Sequence, residues 1–511
     1  KIDTTFRNGS VIVGGTNNST ISGYSPGPTF ANTFIGGGDN NKIESFGNAF
    51  LGGGQLNTIS GYYNNVIVGG YNNSVSGQYN FIGGGCKNTV SGYCSFIGGG
   101  FANQVTSTGT LTSIVGGEQN TASAARSFIG GGILNIASGA RSFIGGGSCN
   151  QATKLNSSVV GGTLNTASGI FSSILGGCKN TNSGYYSSIV GGANNTLSGG
   201  YGYNTIIGGL GNTISGYTGH VIAGGLYNKI DTVDGQENNH FIGSGQSNLI
   251  CTLINENGSS IVGGFKNTAS AACTFIGGGS CNQATALNSS VVGGTLNTAS
   301  VLCSFIGGGC SNSISNYDAT NKFDIIVGGE NNTISNAYNS CDSVIVGGKN
   351  NTISGYYGRF RFIGGGCNNT VTTDGRFGMG VIVGGSSNTL AGGCIGDGFI
   401  GAGSSNDVCN GGYIVGGILN LSCGNSDFIG AGRNNSISGY SNEESAIVGG
   451  CCNTISGASC KQSFIGGGCK NIICSTNNAV IVGGILNTSS AACTFIGGGL
   501  CNYNNSTNSF I

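Results

Sequence analysis

The chain has 511 residues, of which 104 are Gly, 21 Cys and 2 Pro, with no Trp, and its 18 basic and 18 acidic side chains balance to zero net charge. Glycine this abundant, but without proline and a three-residue period, excludes collagen. Hydrophobic residues make up 38% and recur regularly, which excludes a disordered chain.

From its first residues onward the chain repeats a pattern close to S-[F/I/V]-[I/V]-G-G-x-x-N-T-[I/A/V]-S-G-x-x. Taking the central Asn as anchor, there are thirty copies, from Asn18, Asn41 and Asn57 to Asn487 and Asn502. The commonest spacing is 15 residues, as through Asn120, Asn135, Asn150, Asn165, Asn180 and Asn195, and the longest is 23. Every copy has Gly three residues before the anchor and Ile, Val or Leu six before it. Two after it, 25 of 30 copies are aliphatic; the exceptions are Thr20, Asn182, Ser422, Ser489 and Asn504.

Fifteen residues are too few for a helical hairpin, and the β-branched enrichment favours strands. Each copy therefore predicts one coil: a short strand, a Gly-Gly turn, a second short strand and a Ser-Gly turn. The fold class is all-β, a parallel β-solenoid or β-roll of about thirty 15-residue coils, forming one continuous domain over residues 1–511. The two aliphatic columns fill a narrow interior, and glycines serve where strands nearly touch. The anchors, among them Asn88, Asn103, Asn120, Asn135, Asn150, Asn165 and Asn180, are expected to stack as an amide ladder. At about 4.8 Å per coil the rod would be on the order of 140 Å long.

Longer spacings insert residues mostly at one corner, before the first strand of the next coil. Examples are residues 24–33 with Pro26 and Pro28, residues 231–240, and residues 372–380 with Met379. Asp318, Lys322, Arg359, Arg361, Asp374, Glu443 and Glu444 are expected at this exposed corner.

A second pattern concerns the outer face of the first strand. In fourteen copies the residue seven before the anchor is Phe, and in all fourteen the residue five before it is Gly. In fifteen of the other sixteen the first position is smaller, mostly Ser or Val, with Tyr413 the exception, and in all sixteen the second is Val, Leu, Ile or Ala. Residues two apart share a strand face, so this is volume compensation on a packed outer surface. Phe34, Phe81, Phe96, Phe128, Phe143, Phe275, Phe305 and Phe495 are the expected oligomer interface, and the chain is expected to self-associate as a homotrimer.

The segment 156–169, NSSVVGGTLNTASG, resembles the head repeats of YadA-like trimeric autotransporter adhesins. Ser157, Gly162, Ala167 and Gly169 fall in matching places, with Asn165 where that family usually has Ser. The resemblance runs along nearly the whole chain. It implies a left-handed parallel β-roll assembling as a trimer, in a surface protein that binds host molecules. The repeat here is usually fifteen residues rather than fourteen, the 511 residues contain no coiled-coil heptads, and 21 Cys are many for an exported adhesin. The Asn, Ile and Tyr usage also suits an AT-rich genome, so a virion spike stands beside a bacterial adhesin.

Chemistry is sparse. The Gly runs are followed by strands rather than helices, so they are not phosphate loops. No basic stripe meets nucleic acid, and no apolar run reaches the length of a membrane span. Only His220 and His240 would titrate near neutrality, and neither a cofactor nor a metal is expected. Most cysteines read as small packing residues, with Cys86, Cys178, Cys310, Cys367, Cys451 and Cys469 sharing one column. Two pairs one coil apart, Cys409 with Cys423 and Cys451 with Cys469, are within disulfide reach. The expected function is a non-enzymatic structural or adhesive fibre, extracellular on a cell or virion surface, with a host glycan or matrix protein as partner. Alternatives are an ice-binding solenoid, suggested by outward Thr and Ser columns after the anchor, and a purely architectural filament. Lys1-Ile2-Asp3-Thr4 repeats Lys229-Ile230-Asp231-Thr232, and Ser509-Phe510-Ile511 repeats Ser95-Phe96-Ile97. An internal stretch of a longer polypeptide is therefore expected.

Overall fold

In the computed structural model, residues 9–21, 32–106, 108–200, 202–232, 239–252, 258–316, 323–337, 342–356, 359–373, 379–392, 397–439, 443–457, 460–474 and 477–511 are described. Among them are 60 strands of two to five residues and no helix. The insertions expected at residues 24–33, 231–240 and 372–380 lie largely outside the described residues. So do Lys1-Ile2-Asp3-Thr4, Pro26, Pro28, Asp318, Lys322 and Asp374.

The chain divides into two units, residues 1–249 with 253–257, and residues 250–252 with 258–511. Each is a parallel β-solenoid. In the first, the first strands of successive coils stack from Val11–Ile12 to Phe241–Ile242, and the second strands from Ser19–Ile21 to Lys229–Thr232. In the second, the corresponding stacks run from Ser260–Ile261 to Phe495–Ile496 and from Thr268–Ala269 to Tyr503–Asn504. Like positions fall on like positions: Phe128 on Phe143, Ile129 on Ile144, and Ala137 on Ala152. Isolated bridges two residues before each anchor, such as Glu118 to Ile133 to Ser148, add a third rung.

A typical coil holds two similar halves. Arg126-Ser127-Phe128-Ile129 and Leu134-Asn135-Ile136-Ala137 each run left-handed residue, buried polar residue, outward residue, buried aliphatic residue. The left-handed residues, Arg126 at φ 60° and Leu134 at φ 55°, carry ordinary side chains at a cost of roughly 1 kcal/mol each. The conformation turns their N–H groups backwards, onto Thr110 O at 2.7 Å and Glu118 O at 2.9 Å. Their neighbours bond forwards, as Ile136 N–H does to Asn150 O at 2.8 Å. Each coil is thereby hydrogen-bonded to both neighbours, which offsets the strain. The aliphatic columns, such as Ile129 and Ala137, are fully buried.

The anchor asparagines have the same environment coil after coil. The Asn150 N–H donates to Asn135 Oδ1 at 2.9 Å, and Asn150 Oδ1 accepts from the Asn165 N–H at 3.0 Å. Asn150 Nδ2 donates to Gly146 O in its own coil at 3.0 Å and to Gly162 O of the next at 2.9 Å. Asn88, Asn103, Asn120, Asn135, Asn165 and Asn180 make the equivalent bonds. Direct amide-to-amide bonds occur only in some coils, as from Asn120 to Asn103 at 3.1 Å. The invariant glycine three residues earlier follows from this geometry. At Gly147, φ is +93°, and a Cβ would lie 2.5 Å from Asn150 Nδ2 and 2.1 Å from Gly162 O. Asn150→Ala leaves the Asn165 N–H without an acceptor and two carbonyls one donor short, at about 3 kcal/mol. Amide exchange at Asn165 should accelerate sharply in that variant, while coils far from it exchange as before.

Candidate functional site

The two sheets present opposite chemistry to the outside. On the first sheet, Phe34, Phe81, Phe96, Phe128, Phe143, Phe275, Phe305 and Phe495 all point outward and are half-buried or exposed, Phe143 at 39%. Adjacent rings stack, Phe128 on Phe143 at 5.4 Å and Phe34 on Phe50 at 5.2 Å. A shallow groove of about 300 Å³ lies over the latter pair, flanked by Asn32, Asn48 and Asn64. Coils without Phe expose Val or Leu two residues further on, Val160 at 52%. The pairing of Phe with Gly closes within one coil. A Cβ on Gly130 would meet Phe128 Cε1 at 3.6 Å and Gly145 O at 2.4 Å, so the ring rests over its own glycine. Compensation alone therefore does not require a second chain; the exposed apolar area is the stronger observation.

On the second sheet the outward columns are hydroxyl-bearing. Thr166, Thr181, Thr196 and Thr213 stack in register beside Ser168, Ser183, Ser198 and Ser215. Gln104, Ile136, Lys229, Asp407 and Leu421 occupy the Thr column elsewhere and break the array.

Inside each roll runs a column that sequence reasoning missed, eight residues before the anchor. It usually holds buried Ser, Thr or Asn, such as Ser142 and Asn80. Arg361 belongs to it, and this corrects its expected place at the exposed corner: the side chain is fully buried. Its Nε and Nη2 donate to Thr373 Oγ1 at 2.6 Å and Thr373 O at 3.0 Å, and Nη1 donates to Asn336 Oδ1 at 2.6 Å. Asn336 Nδ2 donates in turn to Asp324 Oδ2 at 3.2 Å, so one amide links a buried cation to a buried carboxyl. The signal was available, because Arg361 is eight residues before Asn369. Of the other charges expected at the corner, Arg359, Glu443 and Glu444 are exposed, and Glu443 pairs with Lys461 at 2.9 Å.

His220 and His240 occupy the same column, buried, with rings stacked at 5.1 Å. Burial, then the neighbouring His240, pull the His220 pKa down to about 3, so it stays neutral at ordinary pH. Its Nδ1 accepts from the His240 N–H at 3.3 Å.

The cysteines divide. Cys409 and Cys423 are joined by a disulfide, with Cα atoms 4.5 Å apart. Cys451 and Cys469 are stacked bridge partners, but both are free thiols, which corrects the second expected pair. Cys451 Sγ contacts two thiols rather than bonding to one, Cys452 Sγ of its own coil at 3.2 Å and the Cys469 thiol of the next. Cys178, Cys310 and Cys367 are exposed on the third rung, and Cys86 is half-exposed, so that column is not a packing column.

Asp427 also lies in the missed column. Its Oδ1 accepts from the Ser445 N–H at 3.0 Å, whereas Oδ2 and the nearby Ser422 Oγ are buried without a hydrogen-bond partner. Burial raises its pKa from 3.8 to about 6. The folded state then holds its proton more tightly than the unfolded chain, so stability is greatest below pH 4 and falls as pH rises to about 6. Asp427→Asn introduces the residue found at Asn65, Asn80 and Asn204 in the same column. It should remove that loss and stabilise the second unit by about 2 kcal/mol at pH 7, with little effect at pH 4, as read by denaturant titration at both pH values.

No protein-family model matches the chain, and no curated protein matches it.

Proposed function

We propose that the chain is a non-enzymatic architectural segment of an extracellular fibre or spike on a cell or virion surface, assembled as a homotrimer through the Phe and Val face. The observation that carries this reading is the difference between the two outer faces. One sheet presents an outward apolar side chain in coil after coil, from one or other of two adjacent columns, such as Phe50 at 41% and Val160 at 52% exposure, and the other presents Thr and Ser. Monomeric soluble proteins rarely leave so long an apolar strip uncovered. Copies of the same chain have the same coil pitch and the same columns, so they match it along its length. Covering each such side chain contributes roughly 1.5–3 kcal/mol. The likeness to YadA-like head repeats supports the trimer and the surface location. Within this reading the hydroxyl face stays in solvent, where a host glycan or matrix protein would meet it.

Sedimentation equilibrium of the native protein should return three chains. Replacing Phe128 and Phe143 by Ser, the residue at Ser158 and Ser173 in the same column, should weaken the assembly without disturbing the interior. A wild-type protein that sediments as a monomer or a dimer overturns the trimer. A glycan and matrix-protein binding screen on the assembled protein tests the adhesive part.

A second reading, ice binding, rests on the stacked Thr166, Thr181, Thr196 and Thr213. The interruptions at Gln104, Ile136, Lys229, Asp407 and Leu421 make it the lesser one. Thermal hysteresis in the soluble protein would favour it.

A further inference from the structure

In the second unit, the third-rung corner brings three thiols and two cations together. Arg433, Cys451 and Cys469 stack as successive parallel bridges, two residues before their anchors. Asn434, Cys452 and Lys470 stack beside them, each in a left-handed conformation, with φ between 54° and 59°. Cys452 is fixed by its N–H on Arg433 O at 2.9 Å, and Cys451 by its N–H on Gly468 O at 2.9 Å. The left-handed turn folds neighbouring side chains towards each other, leaving Cys451 Sγ 3.2 Å from Cys452 Sγ. The same corner makes equivalent contacts elsewhere: Ser148 with Cys149, Ser280 with Cys281 and Cys310 with Ser311, each at 3.6 Å. The closeness of the two sulfurs is thus a property of the coil. All three cysteines are half-exposed.

We propose that Cys451 and Cys452 form a redox-reactive modification site whose substrate is a low-molecular-weight anionic disulfide such as oxidised glutathione. The two sulfurs have different roles. The Cys451 thiol and then the Asn434 amide (Nδ2 3.7 Å from Sγ) hydrogen-bond to Cys452, and Lys470 and Arg433 stand nearby, all of which lower its pKa. Cys452 is therefore the attacking thiolate. The hydrogen bond shared with Cys452, then burial and the neighbouring Cys452 and Cys469 thiols, raise the pKa of Cys451, which keeps its proton until the second step. The Cys452 thiolate attacks one sulfur of the disulfide; the sulfur–sulfur bond breaks, and one glutathione leaves as thiolate and takes a proton from water. Cys451, losing its proton to water, then attacks Cys452 Sγ and displaces the second glutathione. Two protein thiols become one Cys451–Cys452 disulfide, one glutathione disulfide becomes two thiols, and no other oxidant is needed. Arg433 and Lys470 suit the carboxylates of glutathione. The inference does not depend on the fibre reading.

The test treats the native full chain with oxidised glutathione near pH 7, then digests it with trypsin without reduction. Cleavage after Arg433, Lys461 and Lys470 places Cys451, Cys452 and Cys460 in peptide 434–461 and Cys469 in peptide 462–470. Peptide 434–461 should lose two hydrogens, with fragmentation placing the bond between Cys451 and Cys452. That loss should appear several-fold faster than any adduct at the exposed Cys178. Cys451→Ser should stop at a stable glutathione adduct on Cys452, and Cys452→Ser should abolish both products. A cross-link between 434–461 and 462–470, a bond to Cys460, a persistent adduct on the wild-type protein, or no reaction would overturn the proposal.

Discussion

A buried carboxamide that must make its hydrogen bonds is the constraint on which the rest of each roll depends. In water an Asn side chain is satisfied from any direction; inside the roll it has only the carbonyls and N–H groups of adjacent coils. Asn150 uses Nδ2 on Gly146 and Gly162 and its Oδ1 on Asn165, so each amide joins its own turn to the coil that follows. This arrangement fixes coil spacing, in-register stacking and the need for glycine at the position the amide occupies. The hydrophobic interior supplies most of the driving force, but it is non-directional and would tolerate slippage of one coil along another. The amides remove that freedom.

Much of this was legible in the sequence because it repeats. Thirty copies with Gly and an aliphatic residue at fixed offsets from Asn define two strands and two turns per coil. The interior aliphatic columns and the outward Phe column follow from strand alternation alone. Two features were not legible in the same way. The left-handed residues, among them Leu134, Arg126, Phe171 and Tyr186, have no shared side-chain chemistry, because the conformation is imposed by hydrogen bonds to the preceding coil. The second polar column varies among Ser, Asn, His, Asp and Arg, so no single residue type marks it. Insertions just before it also shift its distance from the previous anchor, although its distance to the following one is constant. Counting backwards from Asn369, Asn228 and Asn435 finds Arg361, His220 and Asp427.

That variable column is where the interior departs from a uniform roll. Asn80 is satisfied locally, on Gly92 O at 2.9 Å, whereas Ser142 Oγ is buried without a hydrogen-bond partner. Arg361 and Asp324 bring ionisable groups into the same space, with Asn336, Asn316, Thr373 and Ser343 hydrogen-bonded around them. Buried ionisable groups add little net stability over apolar ones, but they penalise alternative registers heavily. The Arg361 to Asn336 to Asp324 connection spans coils that otherwise have near-identical neighbours, so it marks a unique position in a chain of similar ones. The stacked rings of His220 and His240 do the same in the first unit.

The stacking of like on like within each unit has a consequence for how such a chain changes over generations. When every coil presents the same donors, acceptors and columns to the coil above and below, a whole copy can be gained or lost and the flanking surfaces still fit. Coil number then becomes a heritable length adjustment, tuned by unequal recombination between near-identical segments such as NSSVVGGTLNTAS at 156–168 and 288–300. A one-residue indel within a strand is not neutral, since it moves every later side chain of that strand to the opposite face. Selection on such a gene would favour changes in multiples of the repeat, with smaller length changes confined to the corner before the first strand.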